Sequence, residues 1–468
     1  FEYRAYKHAP KTLVDVLQGA RVHGELEFLV YEEQRYSYDE FFAAVDAFAV
    51  SLQQDFSVSR GDRLAIAMRN NPAWVIAYAA ATLIGAIVVP INSWGKTEEL
   101  RYALEDSGSR WLVCDPARLG LIEALLDELD VQAMLVDGDE GREPNPKVHD
   151  FDALVEAGSG RTYEAPEIGP GDDCVILYTS GSTGFPKGVL HRHIALCQSL
   201  MNMFFLGYLL MELEGPREFR GGAERETPML TVPLFHATGL LSGFLLPVHT
   251  AQKVVIMYKW EAGRALELIQ EEKVTGLASV PAVIQDLLHH PDFDNYDTTS
   301  LIRVSAAGAA TPAGLPELIR RKCGEPSRSA GWGMTETLAV GATMSGVVFD
   351  LSPDSAGIVS PIVDMRFLDA AGQPADPVVG GEMEVRSVTC TPGYWHKPEA
   401  NAETFDAERW MKTGDMGRID EDGFLHITGR IKEIVIRGGE NIYPGEIEQA
   451  VYELPQVKEN VVFGVPDD

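Results

Sequence analysis

The stretch from Ala73 to Ile91 is almost wholly apolar, but Gly85 divides it. Helical spacing precedes the glycine, and the short run Ala86-Ile87-Val88-Val89-Pro90 follows it. Helix, glycine stop and buried strand is the reading that fits, rather than one continuous membrane span. Further short apolar runs stand at Ala65-Ile66-Ala67-Met68, Trp111-Leu112-Val113-Cys114 and Ala133-Met134-Leu135-Val136, with a helical pattern from Leu121 to Leu129. A second series follows Cys174, with strands expected at Val175 to Tyr178, Lys253 to Met257, Gly276 to Val280 and Ile302 to Ser305. Strands alternating with helices predict a mainly parallel sheet covered on both faces. From Leu196 to Leu213 the chain is apolar apart from Gln198, Ser199, Asn202 and Glu212, which predicts one long, mostly buried helix.

After about Ser355 the texture changes. Gly and Pro become frequent, Ala371-Gly372 and Gly380-Gly381 mark turns, and the candidate strands Asp364 to Leu368 and Glu382 to Arg386 suit an antiparallel arrangement. The expected fold class is therefore α/β: parallel α/β subdomains over about 1–170 and 171–350, then a small β-barrel-like subdomain over 351–430. Asp139 to Lys147 and Glu214 to Glu226, charged and containing glycine, are expected as surface loops.

Composition narrows the partners. The 468 residues carry 39 Lys and Arg against 70 Asp and Glu, a net charge of -31. That excess repels nucleic acid and anionic membrane surfaces, so an anionic ligand needs its own local cluster of donors. The five cysteines, Cys114, Cys174, Cys197, Cys323 and Cys390, are scattered and form no C-x-x-C pair. Neither a disulfide framework nor a zinc site is expected, and a cytoplasmic setting fits them. No basic segment followed by an apolar run opens the sequence at Phe1, so no secretory signal is expected in it.

The most informative segment is Tyr178-Thr179-Ser180-Gly181-Ser182-Thr183-Gly184-Phe185-Pro186-Lys187-Gly188-Val189. An apolar strand leads into it, and a helix is expected from about His193. Ligands bind open α/β sheets at such carboxyl ends of strands. Gly181, Gly184 and Gly188 permit close backbone approach. The hydroxyls of Thr179, Ser180, Ser182 and Thr183, with backbone N–H groups, can cradle a polyphosphate, and Lys187 adds a positive charge. The spacing is not that of a Walker loop, in which Lys follows Gly and precedes Ser or Thr.

This loop resembles the signature of the adenylate-forming superfamily, which includes acyl-CoA synthetases, luciferases and the adenylation domains of peptide synthetases. Other segments resemble the family in the same order along essentially the whole chain. Thr231-Val232-Pro233-Leu234-Phe235-His236-Ala237-Thr238-Gly239 is similar to the segment bordering the acyl substrate, with His236 as its polar group. Ser305-Ala306-Ala307-Gly308-Ala309-Ala310 is similar to the small-residue strand end against adenine, with Ala307 where the family usually has glycine. Gly331-Trp332-Gly333-Met334-Thr335-Glu336-Thr337 supplies Trp332 for stacking on the purine, beside Gly333 and Met334. The resemblance makes Thr335 a donor to the α-phosphate and Glu336 the ligand of Mg²⁺. Trp410-Met411-Lys412-Thr413-Gly414-Asp415 resembles the ribose station, where Asp415 accepts from both hydroxyls and Arg430 adds a contact, with Ile427 nearby. Lys432 matches the family's hinge, and Gly438-Gly439-Glu440 the loop that enters the site for the thiol step. Gly393-Tyr394-Trp395 with Lys397-Pro398-Glu399 also resembles the family and is assigned to structure.

The resemblance implies a large N-terminal domain over 1–430 and the start of a small mobile α+β domain over 431–468. It implies activation of a carboxylic acid by ATP and Mg²⁺ as acyl-AMP, then thioesterification to coenzyme A. The family's adenylation lysine is expected beyond Asp468. The helix from Leu196 and the small residues Gly331, Gly333, Ala306 and Ala307 suggest an elongated apolar pocket for a medium or long fatty acid, or a bulky ring acid. Three alternatives stay open: loading of a carrier protein, a luciferase-type oxygenase, and a non-catalytic nucleotide-binding protein. The sequence does not fix the oligomeric state, and a homodimer is compatible with it.

Overall fold

The computed structural model describes all residues except 1, 139–142, 180–185, 217, 307–313, 325, 434, 438–439, 443, 453, 455–456, 458–459 and 466–468. Two sheets dominate. The first has the spatial order Gly393–Tyr394, Lys187–Arg192, Asp173–Thr179, Ile87–Pro90, Arg63–Ala67, Trp111–Cys114, Gln132–Leu135 and Val148–Asp150. From Asp173–Thr179 outward to Val148–Asp150 the strands are parallel, while Lys187–Arg192 and Gly393–Tyr394 are antiparallel additions at the other edge. The second has the order Arg303–Ala306, Gly276–Ser279, Pro228–Leu230, Val254–Ile256, Glu27–Tyr31 and Gln34–Ser37, with only the last strand antiparallel.

Alternation along the strands explains why both faces of each sheet are covered. Leu64, Ile66, Val88, Val113 and Met134 point into a core shared with Phe28, Leu29, Val254 and Ile256 of the second sheet. Ala65, Ala67, Val89, Leu112 and Cys114 point to the opposite face. Val30, Val255, Leu277 and Val304 carry the far side of the second sheet. Period-two side chains with both faces apolar are what a parallel sheet between helices requires. The helix Pro72–Leu83 lies wholly buried in the shared core. Asn71 caps it by accepting from the Trp74 N–H at 2.9 Å, and Gly85 ends it at φ +75°, a conformation that costs glycine nothing. The strand Ile87–Pro90 then follows as expected.

The structure corrects three expectations. The sheets do not divide near residue 170. Asp173–Thr179 and Lys187–Arg192 belong to the first, while the hairpin 27–37 crosses to the second. Sheet membership is set by crossover connections, which local periodicity does not encode. The helix expected at Leu121 to Leu129 runs instead over Pro116–Ile122, followed by a single 3₁₀ turn, because Asp115 caps it by accepting from the Arg118 N–H and Pro116 opens it. The helix expected from about His193 begins there, with the antiparallel strand Lys187–Arg192 between it and the phosphate loop, Thr179 pairing with Lys187. That helix, His193–Glu214, is buried mainly over its first half, whereas Phe204, Tyr208, Leu209, Met211 and Leu213 are exposed. It is long and apolar enough to cross a membrane by length and composition, and 44% of its most apolar window is buried. A helix apolar on all sides gives no periodic signal for which half is covered.

Between residues 329 and 430 the described residues form two antiparallel sheets. One holds Ser329–Trp332, Ala342–Ser345 and Ile358–Val359; the other holds Val363–Leu368, Gly381–Ser387, Met411–Ile419 and Leu425–Arg430. A bridge from Ile358 to Phe424 and two backbone hydrogen bonds between Ala356–Gly357 and Leu425 join them into one curved unit. The segment Gly393–Tyr394 leaves this unit and pairs with Leu190 and Val189 of the first sheet. It ties the β unit to the strand that follows the phosphate loop.

Candidate active site

A cleft of about 970 Å³ opens where the carboxyl end of Asp173–Thr179 faces the β unit. Tyr178, Thr179, Pro186 and Lys187 line one side, and Gly333, Met334, Thr335 and Glu336 another. Thr413, Gly414, Asp415 and Arg430 form a third, with Lys432 and Glu433 at the rim. Phe235 and His236 reach it from the second sheet's side. Ser180, Gly181, Ser182, Thr183 and Gly184 of the loop lie outside the described residues, as do Ala307, Gly308, Ala309, Gly438 and Gly439. Residues flanking the first group, Thr179 and Lys187, are at the cleft. Glu440 pairs through its backbone with Arg437 in the hairpin formed by Val435–Arg437 and Glu440–Ile442.

Asp415 is 3% exposed. Its Oδ2 accepts from Trp332 Nε1 at 2.8 Å, and its Oδ1 accepts from Arg430 Nε at 2.9 Å. The Asp415 N–H donates to Thr413 Oγ1 at 3.0 Å, which sets the turn. Arg430 stands opposite Asp415 in the sheet register. Trp332 is therefore joined to the expected ribose station through Asp415, which itself lines the cleft. One edge of its indole packs on Gly341, where an added Cβ would overlap Cε3 and the Trp332 carbonyl oxygen. Gly333 is needed for a similar reason, since a Cβ there would lie 2.5 Å from the Ala339 carbonyl carbon. Ile427 is exposed and does not line the cleft.

Glu336 sits at the opposite wall, 8% exposed. The Tyr394 hydroxyl donates to its Oε1 at 2.9 Å, and the Thr391 N–H donates to its carbonyl at 2.7 Å. His191 Nε2 holds the neighbouring Thr335 carbonyl at 2.8 Å. Complete burial pushes the His191 pKa down to about 4, so the ring is neutral and donates through Nε2. Lys187 places its Nζ 4.6 Å from the centroid of the Tyr394 ring. No group of three or more His, Cys, Asp and Glu able to hold a metal ion is found among the described residues. A single carboxylate fits Mg²⁺ nonetheless, because that ion binds through one or two carboxylates together with substrate phosphates.

His236 opens toward the cleft at the start of the helix Ala237–Leu240, and desolvation lowers its pKa. Its ring lies 4.3 Å from that of Phe235, which meets Trp94 edge-on at 5.5 Å. Three contributors went unread in the sequence: His191, Tyr394 and a polar cluster below the cleft. In that cluster Asp106 accepts from Lys397 Nζ at 2.6 Å and from the Tyr178 hydroxyl at 2.9 Å. Tyr394 and Lys397 belong to the Gly-Tyr-Trp segment, whose motif was visible while its reach into the cleft was not.

Residues 17–395 match the AMP-binding enzyme family. The chain is 32% identical over 412 residues to the feruloyl-CoA synthase of an Amycolatopsis species, covering 88% of this chain and 77% of that protein. It is 29% identical over 420 residues to the long-chain-fatty-acid–CoA ligase FadD13 of Mycobacterium tuberculosis, covering 88% and 76%. Among solved structures, the o-succinylbenzoate CoA synthetase of Bacillus subtilis, bound to its acyl-adenylate intermediate, matches at a TM-score of 0.76 with 29% identity, covering 97% of this chain and 85% of that one. The family match spans most of the chain, and the chain belongs to the AMP-binding enzyme family, among the adenylate-forming acid–thiol ligases.

Proposed function

We propose that the cleft binds ATP and a carboxylic acid, forms an acyl-AMP, and passes the acyl group to coenzyme A. The observation that carries this reading is the division of one cavity between two polar centres: Asp415 with Arg430, and Glu336 with Lys187, the latter two bridged by Tyr394. The first suits a ribose, since a buried carboxylate held by two donors keeps lone pairs for vicinal hydroxyls. The second suits a polyphosphate, with Lys187 and the loop hydroxyls as donors. Mg²⁺, held by Glu336 and the phosphates, would shield the negative charge that otherwise repels a carboxylate.

In the first step a carboxylate oxygen forms a bond to the α-phosphorus as the bond from that phosphorus to the bridging oxygen breaks, and pyrophosphate leaves. Thr335 and Lys187 would stabilise charge developing on the phosphoryl oxygens. In the second step the coenzyme A thiolate forms a C–S bond to the acyl carbon, and AMP leaves with the C–O bond electrons. Beyond the Trp94–Phe235 pair lies a second cavity of about 290 Å³, bordered by Arg69, Lys259 and Trp260. In a chain of net charge -31 such local cations suit an anionic cosubstrate, and we place the approach of coenzyme A there. Residues 431–468 would open a mobile C-terminal part that turns about Lys432.

For the acid, Phe235, Ile91 and Met411 at the cleft favour an apolar chain or ring, and the relatives' acids, ferulic, long-chain fatty and o-succinylbenzoic, each carry one, the last together with a second carboxylate. Trp332 would act by fixing Asp415. The test is a panel of acids incubated with ATP, Mg²⁺ and coenzyme A, with AMP and thioester both measured. Acid-dependent AMP release with thioester on coenzyme A supports the reading. AMP release with acyl transfer only to a phosphopantetheinyl protein replaces its second step, preference for acetate or an amino acid replaces its substrate class, and no acid-dependent ATP consumption ends it.

A further inference from the structure

Within this reading of the cleft, we propose that Tyr394 is a positioning residue that holds the cation Lys187 and the anion Glu336 apart, keeping both available to a metal-bound polyphosphate. The Tyr394 ring presents its face to Lys187 Nζ, 4.6 Å from the centroid, while its hydroxyl donates to Glu336 Oε1 at 2.9 Å. One side chain thus serves both charges. The π face is the negative part of the ring and suits an ammonium, and the O–H suits a carboxylate. No ion pair between Lys187 and Glu336 is formed among the described residues, although both line the same cleft.

The backbone around Tyr394 is built to hold it there. Tyr394 pairs with Val189, two residues beyond Lys187, and the Trp395 N–H donates to the Gly188 carbonyl at 2.8 Å. Thr391 Oγ1 donates to the Leu190 carbonyl at 2.6 Å, and the Thr391 N–H donates to the Glu336 carbonyl at 2.7 Å. Gly393, at φ +155°, packs so closely on Asn401 that a Cβ would lie 2.9 Å from that amide. Asn401 Oδ1 in turn accepts from the Tyr394 N–H at 2.6 Å. The segment is therefore fixed on three sides, against the strand leaving the phosphate loop, the Glu336 loop and its own following helix.

An ammonium and a carboxylate left together in a partly enclosed cleft attract strongly, because little water screens them. Such a pair would cancel the charge that Mg²⁺ needs from Glu336 and the charge that the phosphates need from Lys187. Phenylalanine at 394 would keep the ring face and lose the donor, whereas leucine would lose both.

The experiment is calorimetric titration of the full chain with ATP across a range of Mg²⁺ concentrations, for the parent, Tyr394→Phe, Tyr394→Leu, Lys187→Met and Tyr394→Leu with Lys187→Met, each checked for folding by thermal melting. For Tyr394→Phe, the Mg²⁺ concentration giving half-maximal ATP binding should rise about tenfold, with ATP affinity at saturating Mg²⁺ within about twofold of the parent. Tyr394→Leu should also lose about tenfold in ATP affinity at saturating Mg²⁺, and adding Lys187→Met should return part of the Mg²⁺ affinity by removing the competing cation. Lys187→Met alone should give no such gain. An unchanged Mg²⁺ dependence in Tyr394→Phe, or no recovery in the double variant, would overturn the role assigned to Tyr394. A parent chain that binds no ATP at any Mg²⁺ concentration would instead overturn the functional reading beneath it.

Discussion

Trp332 Nε1 donates to Asp415 Oδ2 at 2.8 Å, joining two residues 83 positions apart in the sequence. An aromatic ring that sequence motifs suggest for stacking is thereby a hydrogen-bond donor to a buried carboxylate. Trp332→Phe should keep a smaller aromatic ring in place and leave Oδ2 unpaired in a site that is 3% exposed. Losing one partner of a charge-assisted bond costs about 1.5–3 kcal/mol. Part of that cost should appear as a KM for ATP raised about tenfold, with a smaller effect on kcat, as steady-state kinetics would resolve.

Gly341 gives the same indole its place. A methyl there would overlap Cε3 and the carbonyl oxygen of Trp332, and the backbone on that side belongs to the strand pair Trp332–Ala342. Gly341→Ala should destabilise the β unit by about 1–3 kcal/mol, read as a lowered midpoint in urea with unchanged slope, and should weaken ATP binding alongside. Gly120→Ala, at a position where a Cβ meets nothing within 4 Å, is the control and should do neither.

Glu336→Gln separates charge from shape. Glutamine keeps an oxygen that accepts from the Tyr394 hydroxyl, and the Thr391 and His191 contacts to this loop involve backbone carbonyls, which the change does not touch. Thermal stability should therefore stay close to that of the parent. A neutral amide is a poor Mg²⁺ ligand, and removal of a group aimed at developing charge costs about 10²–10³ in kcat. Rate constants for acid-dependent AMP release, measured beside the melting temperature, check both halves of this expectation.

The parts of this site that a sequence shows are those whose chemistry is local. Gly-rich hydroxyl loops, an aromatic between glycines and Thr-Gly-Asp are read within a few residues, and the parallel sheet follows from short apolar runs separated by helices. Strand exchange between the sheets was not legible, because the hairpin 27–37 and the strand Asp173–Thr179 carry no mark of which sheet they join. Nor was the role of Tyr394, whose two partners lie 58 and 207 residues away along the chain. The exposed second half of His193–Glu214 escaped for a different reason, since uniform hydropathy around a helix conceals which side is covered.

The buried histidines beneath the site should make the fold sensitive to mild acid. Desolvation pushes both His191 and His193 down to about 4 from an ordinary 6.5, with Asp172 and Asp15 partly opposing the shift at His193. Their folded pKa values lie below the unfolded ones, so between pH 6.5 and 4 the unfolded chain binds more protons than the native chain. Stability is then fully present above about pH 6.5 and is lost progressively as pH falls toward 4, by up to about 1.4 kcal/mol per pH unit for each ring. His191→Gln keeps an N–H for the Thr335 carbonyl and removes one of the titrations, so its stability should fall less steeply over this range. Urea unfolding of parent and variant at pH 7, 6 and 5 measures the difference, and parallel profiles would show that His191 takes up no proton on unfolding. The window ends above the range of Asp55 and Asp172, whose lowered pKa values add their own loss of stability only at lower pH.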